Sequence, residues 1–281
     1  MGKTLFITDL DGTFLNSSAK ITSVTADIIN KLLDNGVIFS YATARSFYKS
    51  SLITGPLNLK YPAVQHGGTF IQDPKTGEYF DKCVFAQDKA EAMLRKIKAN
   101  GLYPVVFSII DGRERFSWIE GKENAGIDFF LKSRRSDIRI RAVQDYDGFI
   151  GDVHEIMFVS DIREELQDIA DAINPDDCFT YFIQEDTYKD ENGRKKYWLA
   201  FNRADAAKDA GVLKAAKLVG ADKIICFGDN INDLPMFKIS DESYAVANAL
   251  PEIKKIATGI IGSNDDDGVA KWLDANAYKY L

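Results

Sequence analysis

The sequence predicts an α/β protein: an open parallel sheet whose two halves are separated in the chain by an inserted α+β module. Three observations carry that expectation. The N-terminal segment runs strand, helix, strand, the order of a parallel pair joined by a right-handed crossover. The C-terminal segment repeats that grammar. The middle, roughly 84–199, has a different texture, mixing helices with hairpin-connected strands.

Taken in order, Leu5-Phe6-Ile7-Thr8 is a short apolar run that stops at Asp9, as a buried strand does. A helix follows, capped by Thr22 or Ser23, striped by Ile28, Ile29, Leu32 and Leu33, and ended by Gly36. The next strand, 37–41, runs into Ala42-Thr43-Ala44-Arg45. In the middle, a helix over 89–99 precedes strands over 104–110 and 113–119; then come a strand over 154–160, a helix over 162–173 and strands over 178–184 and 195–201. After it, a helix over 205–219 stops at Gly220, and Lys223-Ile224-Ile225-Cys226-Phe227 leads into Gly228-Asp229. Short strands over 244–247 and 259–261 and a last helix near 269–273 finish the chain. The expected domains are therefore 1–83 with 200–281, and 84–199.

With 281 residues, 46% apolar and 27% charged, the chain is long enough for two cores of ordinary composition. A net charge of −7 argues against broad electrostatic binding to nucleic acid or acidic membranes. No apolar stretch reaches signal-peptide or transmembrane length. The three cysteines, Cys83, Cys178 and Cys226, follow no metal-ligand spacing; reduced thiols suit a cytoplasmic protein. Asn16-Ser17-Ser18 matches a glycosylation sequon, a tripeptide that chance supplies often.

Asp9-Leu10-Asp11-Gly12-Thr13 stands at a strand's C-terminal end, where open α/β sheets bind ligands. Two carboxylates one residue apart repel unless a cation or a proton intervenes. Mg²⁺, a hard ion with oxygen ligands, fits that need and leaves positions for water and phosphate. One carboxylate can then attack phosphorus, and the other can protonate the leaving alcohol and activate water. An acidic turn is the plain alternative. A second cluster weighs against it: Gly228-Asp229-Asn230-Ile231-Asn232-Asp233 also follows an apolar strand, so Asp229 and Asp233 can join Asp9 and Asp11 around a metal.

Phosphate also needs donors and positive charge. Thr43, at the end of the second strand, offers a hydroxyl. Lys208 lies in the first turn of its helix, where the macrodipole disfavours a cation, so an anionic partner is expected nearby. Lys214 and Lys217 on the same helix fit solvent exposure. His154 fits a strand edge, Arg134-Arg135 a solvated loop, and the aromatic residues of 197–201 core packing.

These four segments resemble, in order and separation, the four motifs of the haloacid dehalogenase-like superfamily, and most of all its Cof-type phosphatases with a type IIB cap. The resemblance spans essentially the whole chain. Tyr244-Ala245-Val246-Ala247-Asn248-Ala249 and Ser263-Asn264-Asp265-Asp266-Asp267-Gly268-Val269 are similar to that group's C-terminal pattern. It implies a Rossmann-like core, with Asp9 as nucleophile and Asp11 as acid–base. Thr43 and Lys208 would contact the phosphoryl group, Mg²⁺ would be held among Asp9, Asp11, Asp229 and Asp233, and a cap over 84–199 would close on the site. Arg45, His66 and Asn232 are the candidate substrate contacts.

Three departures stand out. Thr43-Ala44-Arg45 replaces the usual Thr-Gly-Arg, His66-Gly67-Gly68 the usual Asn-Gly-Ala, and Asp209 the glycine that commonly follows the lysine. His66 is open to a substrate contact or a structural role. The expected reaction is hydrolysis of a small phosphorylated metabolite. A phosphomutase and a non-catalytic phosphometabolite sensor remain alternatives, while Asp11 speaks against a dehalogenase, which needs no acid for an alkoxide. Substrate identity and oligomeric state are not legible.

Overall fold

The computed structural model describes residues 2–176, 178–185 and 193–281. The chain divides into two compact units, Met1–Lys82 with Ala206–Leu281, and Cys83–Asp205. In chain order, the first unit begins with β1 (Thr4–Thr8), α1 (Ser23–Asp34), β2 (Ile38–Tyr41), α2 (Phe47–Thr54), β3 (Ala63–Gln65), β4 (Phe70–Gln72) and β5 (Tyr79–Lys82). The second unit supplies α3 (Gln87–Ala99), β6 (Val105–Ile110), β7 (Arg113–Ile119), α4 (Ala125–Lys132), β8 (Ile140–Val143), β9 (Asp152–Ser160), α5 (Arg163–Ile173), β10 (Phe179–Glu185) and β11 (Tyr197–Arg203). The first unit resumes with α6 (Lys208–Val219), β12 (Lys223–Gly228), α7 (Leu234–Ile239), β13 (Glu242–Val246), α8 (Pro251–Ile256), β14 (Gly259–Ile261) and α9 (Gly268–Asn276).

The first unit is built on a five-stranded parallel sheet in the order β14-β13-β12-β1-β2. Every residue of β1 is buried, as a strand covered on both faces requires, which is why Leu5-Phe6-Ile7 shows no polar alternation. Connections run outward from β1 to β2 on one side and from β12 to β14 on the other. The order therefore reverses between β1 and β12, the switch point at which such sheets open a crevice. Register decides what meets there: Thr8 lies beside Phe227 on one side and Tyr41 on the other. The residues that follow those three are the ones singled out above.

Helix signals behave as their chemistry demands. The Thr22 hydroxyl accepts from the Thr25 amide at 3.0 Å and caps α1, settling the choice between Thr22 and Ser23. Helix α6 starts at Lys208 rather than 205, because Ala207 is still extended (φ −133°, ψ 152°). Strand β3 continues the sheet edge through a parallel bridge between Ala42 and Val64 and pairs antiparallel with β4, which pairs antiparallel with β5. No helix among the described residues is long and apolar enough to cross a membrane.

The second unit holds a six-stranded sheet, β10-β11-β9-β6-β7-β8, antiparallel except for β7 and β8, which α4 connects in parallel. Alternate residues feed two apolar layers. Val106, Ile156, Phe158, Leu199 and Phe201 pack with Met93, Leu94 and Ile97 of α3 and Leu166 and Ile173 of α5. Val105, Phe107, Phe116, Met157 and Val159 pack with Ile127 and Phe130 of α4. Strand β11 runs without a break to Arg203, which the Arg203–Asp205 ion pair follows. The unit therefore reaches Asp205, beyond the edge at 199 that the residue pattern suggested.

Candidate active site

The candidate site occupies the C-terminal ends of β1, β12 and β2 in the first unit. The chain leaves β1 with the Asp9 amide donating to the Phe227 carbonyl at 2.9 Å, so Asp9 is held at the β1–β12 junction. It then turns through a wide loop closed by the Leu15 amide on the Leu10 carbonyl at 2.9 Å. Gly12 makes that loop possible. Its φ is +77°, and a Cβ there would lie 2.5 Å from Asp229 Oδ2.

Across the junction, Gly228-Asp229 ends β12. The Asp233 carboxylate reaches back, its Oδ2 accepting from the amides of Asp229 at 2.9 Å and Asn230 at 3.1 Å. This is a capping box with Asn230, and it explains why Asp233 is wholly buried. Thr13 Oγ1 donates to Asp229 Oδ1 at 2.9 Å, joining the two acidic segments.

Lys208 completes the cluster. Its Nζ donates to Asp9 Oδ1 at 2.5 Å and to Asp233 Oδ1 at 2.6 Å, with only 4% of its side chain exposed. The anionic partner that its first-turn position demanded is thus two carboxylates. The loop at His66-Gly67-Gly68 seats this helix end: Gly68 has φ +111°, and a Cβ on it would strike the Ala207 carbonyl oxygen at 2.0 Å.

Two carboxylates, Asp9 and Asp233, thus share the Lys208 ammonium, and Asp229 joins them in an acidic cluster. The three offer oxygen atoms all within 4.8 Å of one another. Burial pushes the Asp9 carboxyl up to about 7; Lys208 opposes the rise, while Asp233 and Asp229 reinforce it. Asp229 is also raised, by burial first and by the Asp233 charge. Burial works to lower Lys208, but the charges of Asp9 and Asp233 outweigh it and hold the ammonium above its ordinary range. This oxygen-only donor set with excess negative charge fits a hard divalent cation.

The other expected residues divide. Thr43 is buried at the same sheet edge: its amide donates to the Val64 carbonyl at 2.9 Å and its hydroxyl accepts from the Arg45 amide at 3.1 Å. The carboxylate of Asp11, expected with the other three, is turned instead to Arg45, which donates from Nε to Oδ2 at 2.7 Å and from Nη2 to Oδ1 at 2.6 Å. The physical reason is the nearer, matching fork of the guanidinium. His66 is tied to this pair through its backbone, its amide donating to the Arg45 carbonyl at 3.1 Å, and its ring stands edge-on to Phe70 at 5.3 Å. Asn232 is exposed.

Sequence reasoning missed three residues. Thr13 bridges to Asp229, and its place in Asp-Leu-Asp-Gly-Thr was the available signal. Asn248 donates to the Gly12 carbonyl at 2.7 Å and accepts from the Asn264 amide at 3.1 Å. Asn264 in turn donates to the Leu15 carbonyl at 2.9 Å, so the C-terminal segments brace the Asp9 loop from outside.

The chain belongs to the haloacid dehalogenase-like hydrolase family, whose model matches residues 6–273. It is similar to the 5-amino-6-(5-phospho-D-ribitylamino)uracil phosphatase YwtE of Bacillus subtilis, 25% identical over 285 residues and covering 95% of each chain. It is also similar to phosphatase YwpJ of the same organism, 22% identical over 95% of this chain and 97% of that one. Among solved structures, TM0651 from Thermotoga maritima shares the fold with a TM-score of 0.74 at 20% identity, over 98% of this chain and 97% of that one.

Proposed function

We propose that the protein hydrolyses small phosphate monoesters through Asp9. The observation that carries this reading is the Lys208 ammonium bridging Asp9 and Asp233 at 2.5 and 2.6 Å, with Asp229 beside them. A buried carboxylate oriented by a lysine is a nucleophile held in place, and that same ammonium faces wherever a phosphoryl group must stand to be attacked.

In this reading an Asp9 oxygen bonds to phosphorus as the P–O bond to the leaving alcohol breaks, giving an aspartyl-phosphate. Asp11 gives a proton to the departing oxygen. It then takes one from the water that attacks phosphorus, and Asp9 is freed with inorganic phosphate. Lys208 and the Thr43 hydroxyl bind phosphoryl oxygens. Asp9, Asp229 and Asp233 would hold Mg²⁺, which when bound supplies the positive charge that three carboxylates and a dianionic ester require. We assign the Cys83–Asp205 unit the role of cap, the part that the family likeness makes responsible for the leaving group.

The names of the relatives supply the first compound to try. Two Bacillus subtilis proteins, YwtE and YitU, each 25% identical to this chain, are named for 5-amino-6-(5-phospho-D-ribitylamino)uracil. Purified protein with Mg²⁺ is offered that ester together with sugar phosphates and phosphorylated cofactors. Phosphate release absent from an Asp9→Asn control is expected; no release above the control on any ester would sink the reading.

A further inference from the structure

The fork between Arg45 and Asp11 has a consequence for proton transfer. Both side chains are partly exposed, 28% for Arg45 and 51% for Asp11, so the pair adds little to stability. Its geometry is nonetheless that of the strong, specific class of ion pair, two parallel N–H donors on two oxygens. Arg45 is also fixed at its root. Its amide donates to the Thr43 hydroxyl at 3.1 Å and its carbonyl accepts from the His66 amide at 3.1 Å. Two residues of the site thus pin the backbone from which the guanidinium reaches Asp11.

We propose that Arg45 is the positioning residue of the acid–base Asp11, and that it hands one arm of its fork to a phosphoryl oxygen when substrate binds. The inference rests on the phosphatase reading. With both oxygens accepting from the guanidinium, the Asp11 carboxylate cannot rotate away from the site. Each Asp11 oxygen keeps a second lone pair beside its guanidinium bond, so the carboxyl can serve the leaving oxygen while the fork orients it. A phosphoryl group beside Asp11 is the competitor whose oxygens match the same fork. One arm moves to the phosphoryl oxygen and the other stays on Asp11. Asp11 thereby keeps its orientation toward the alkoxide as the P–O bond breaks and the Asp9–phosphorus bond forms.

A positioning role predicts a dependence on the leaving group that simple phosphate binding does not. Wild type, Arg45→Ala, Arg45→Lys, Asp11→Asn and the Arg45→Ala/Asp11→Asn double variant are assayed with Mg²⁺ on aryl phosphates. The phenols range from acidic, which leave unaided, to basic, which need an acid. Arg45→Ala is expected to lose about tenfold in kcat/KM on the most acidic phenol and about a hundredfold on the most basic. Arg45→Lys, one charge without a fork, should fall between. In the Asp11→Asn background the extra dependence should vanish. Equal losses on every ester, or a dependence that survives in that background, would overturn the proposal. Thermal melts of the Arg45 variants within about 2 °C of wild type are expected for a partly exposed pair and keep misfolding out of the comparison.

A wild type inactive on every ester would defeat the phosphatase reading and this proposal with it; in active protein, a crystal structure with tungstate, a phosphate mimic, tests the shared fork directly. One guanidinium arm on tungstate and one on Asp11 supports it. Both arms still on Asp11, both on tungstate, or tungstate absent from Arg45 overturns it.

Discussion

Replacing Lys208 by methionine removes one charge and keeps nearly the same volume. In the native site that ammonium is 4% exposed and makes charge-assisted hydrogen bonds of 2.5 and 2.6 Å to two buried carboxylates. Deleting one member of a buried charge group costs about 3–5 kcal/mol, because the partners stay behind unpaired. The Asp9 carboxyl, already pushed up to about 7, can take a proton and recover part of that cost. A loss of about 3 kcal/mol is therefore expected in chelator-treated protein at pH 8, a fall of roughly 6–12 °C in melting temperature at about 2–4 °C per kcal/mol. The sign with pH follows from Lys208 being raised above its ordinary range: its contribution is complete below the unfolded value of 10.5 and is lost only on rising through the higher folded one. It is thus fully present at pH 8. At pH 6, where Asp9 is protonated, the variant should lose less, and saturating Mg²⁺ should return most of the difference. Turnover should drop by about a hundredfold or more, the scale for losing one donor to developing charge. Scanning calorimetry with and without chelator at the two pH values, together with phosphate release, reads all of this. A methionine variant that melts like wild type in chelator at pH 8 would refute the assignment of Lys208 as the counter-charge of the site.

The other predictions are shorter. Asp9 is raised in the folded state, so its share of stability is complete below the unfolded value of 3.8 and is lost as pH rises toward about 7. Chelated wild type should lose melting temperature between about pH 4 and 7, Mg²⁺ should flatten the decline, and Asp9→Asn should remove most of it. Gly12→Ala forces a side chain to φ +77° and against Asp229, a strain of about 1–3 kcal/mol, and should weaken Mg²⁺ binding measured calorimetrically. In the second unit, Arg139 is buried and donates to Asp137 Oδ2 at 2.7 Å and to Glu114 Oε2 at 2.6 Å. Arg139→Met should destabilise that unit by about 3 kcal/mol, visible as faster limited proteolysis within Cys83–Asp205.

What the sequence disclosed follows from how each signal arises. Strand β1 was legible because a run buried on both faces needs no alternation and stops at its acidic end. Lys208 was legible because a cation in a first helical turn demands an explanation. Helix α4 was not: three consecutive apolar residues, Phe129-Phe130-Leu131, blur its period, and Gly126 weakens its local preference. The small β3-β4-β5 sheet escaped notice because strands of three or four residues are too short for a pattern. Asp11 is the instructive residue of the site. Its spacing from Asp9 suggested a shared metal, but spacing carries no side-chain direction, and the guanidinium that claims it lies 34 residues further along the chain. The Asn248–Asn264 brace was invisible for the same reason: its bonds to the Asp9 loop are decided by tertiary packing.

The central claim is that Asp9 is the nucleophile. Protein turning over an accepted phosphate ester with Mg²⁺ is quenched in acid and digested, and the peptide containing Asp9 is weighed by mass spectrometry. The peptide should carry one phosphoryl group in wild type, more of it in Asp11→Asn, and none in Asp9→Asn, which should also release no phosphate. An Asp9→Asn variant that turns over at the wild-type rate, with the phosphoryl group on another residue or on none, would contradict the account.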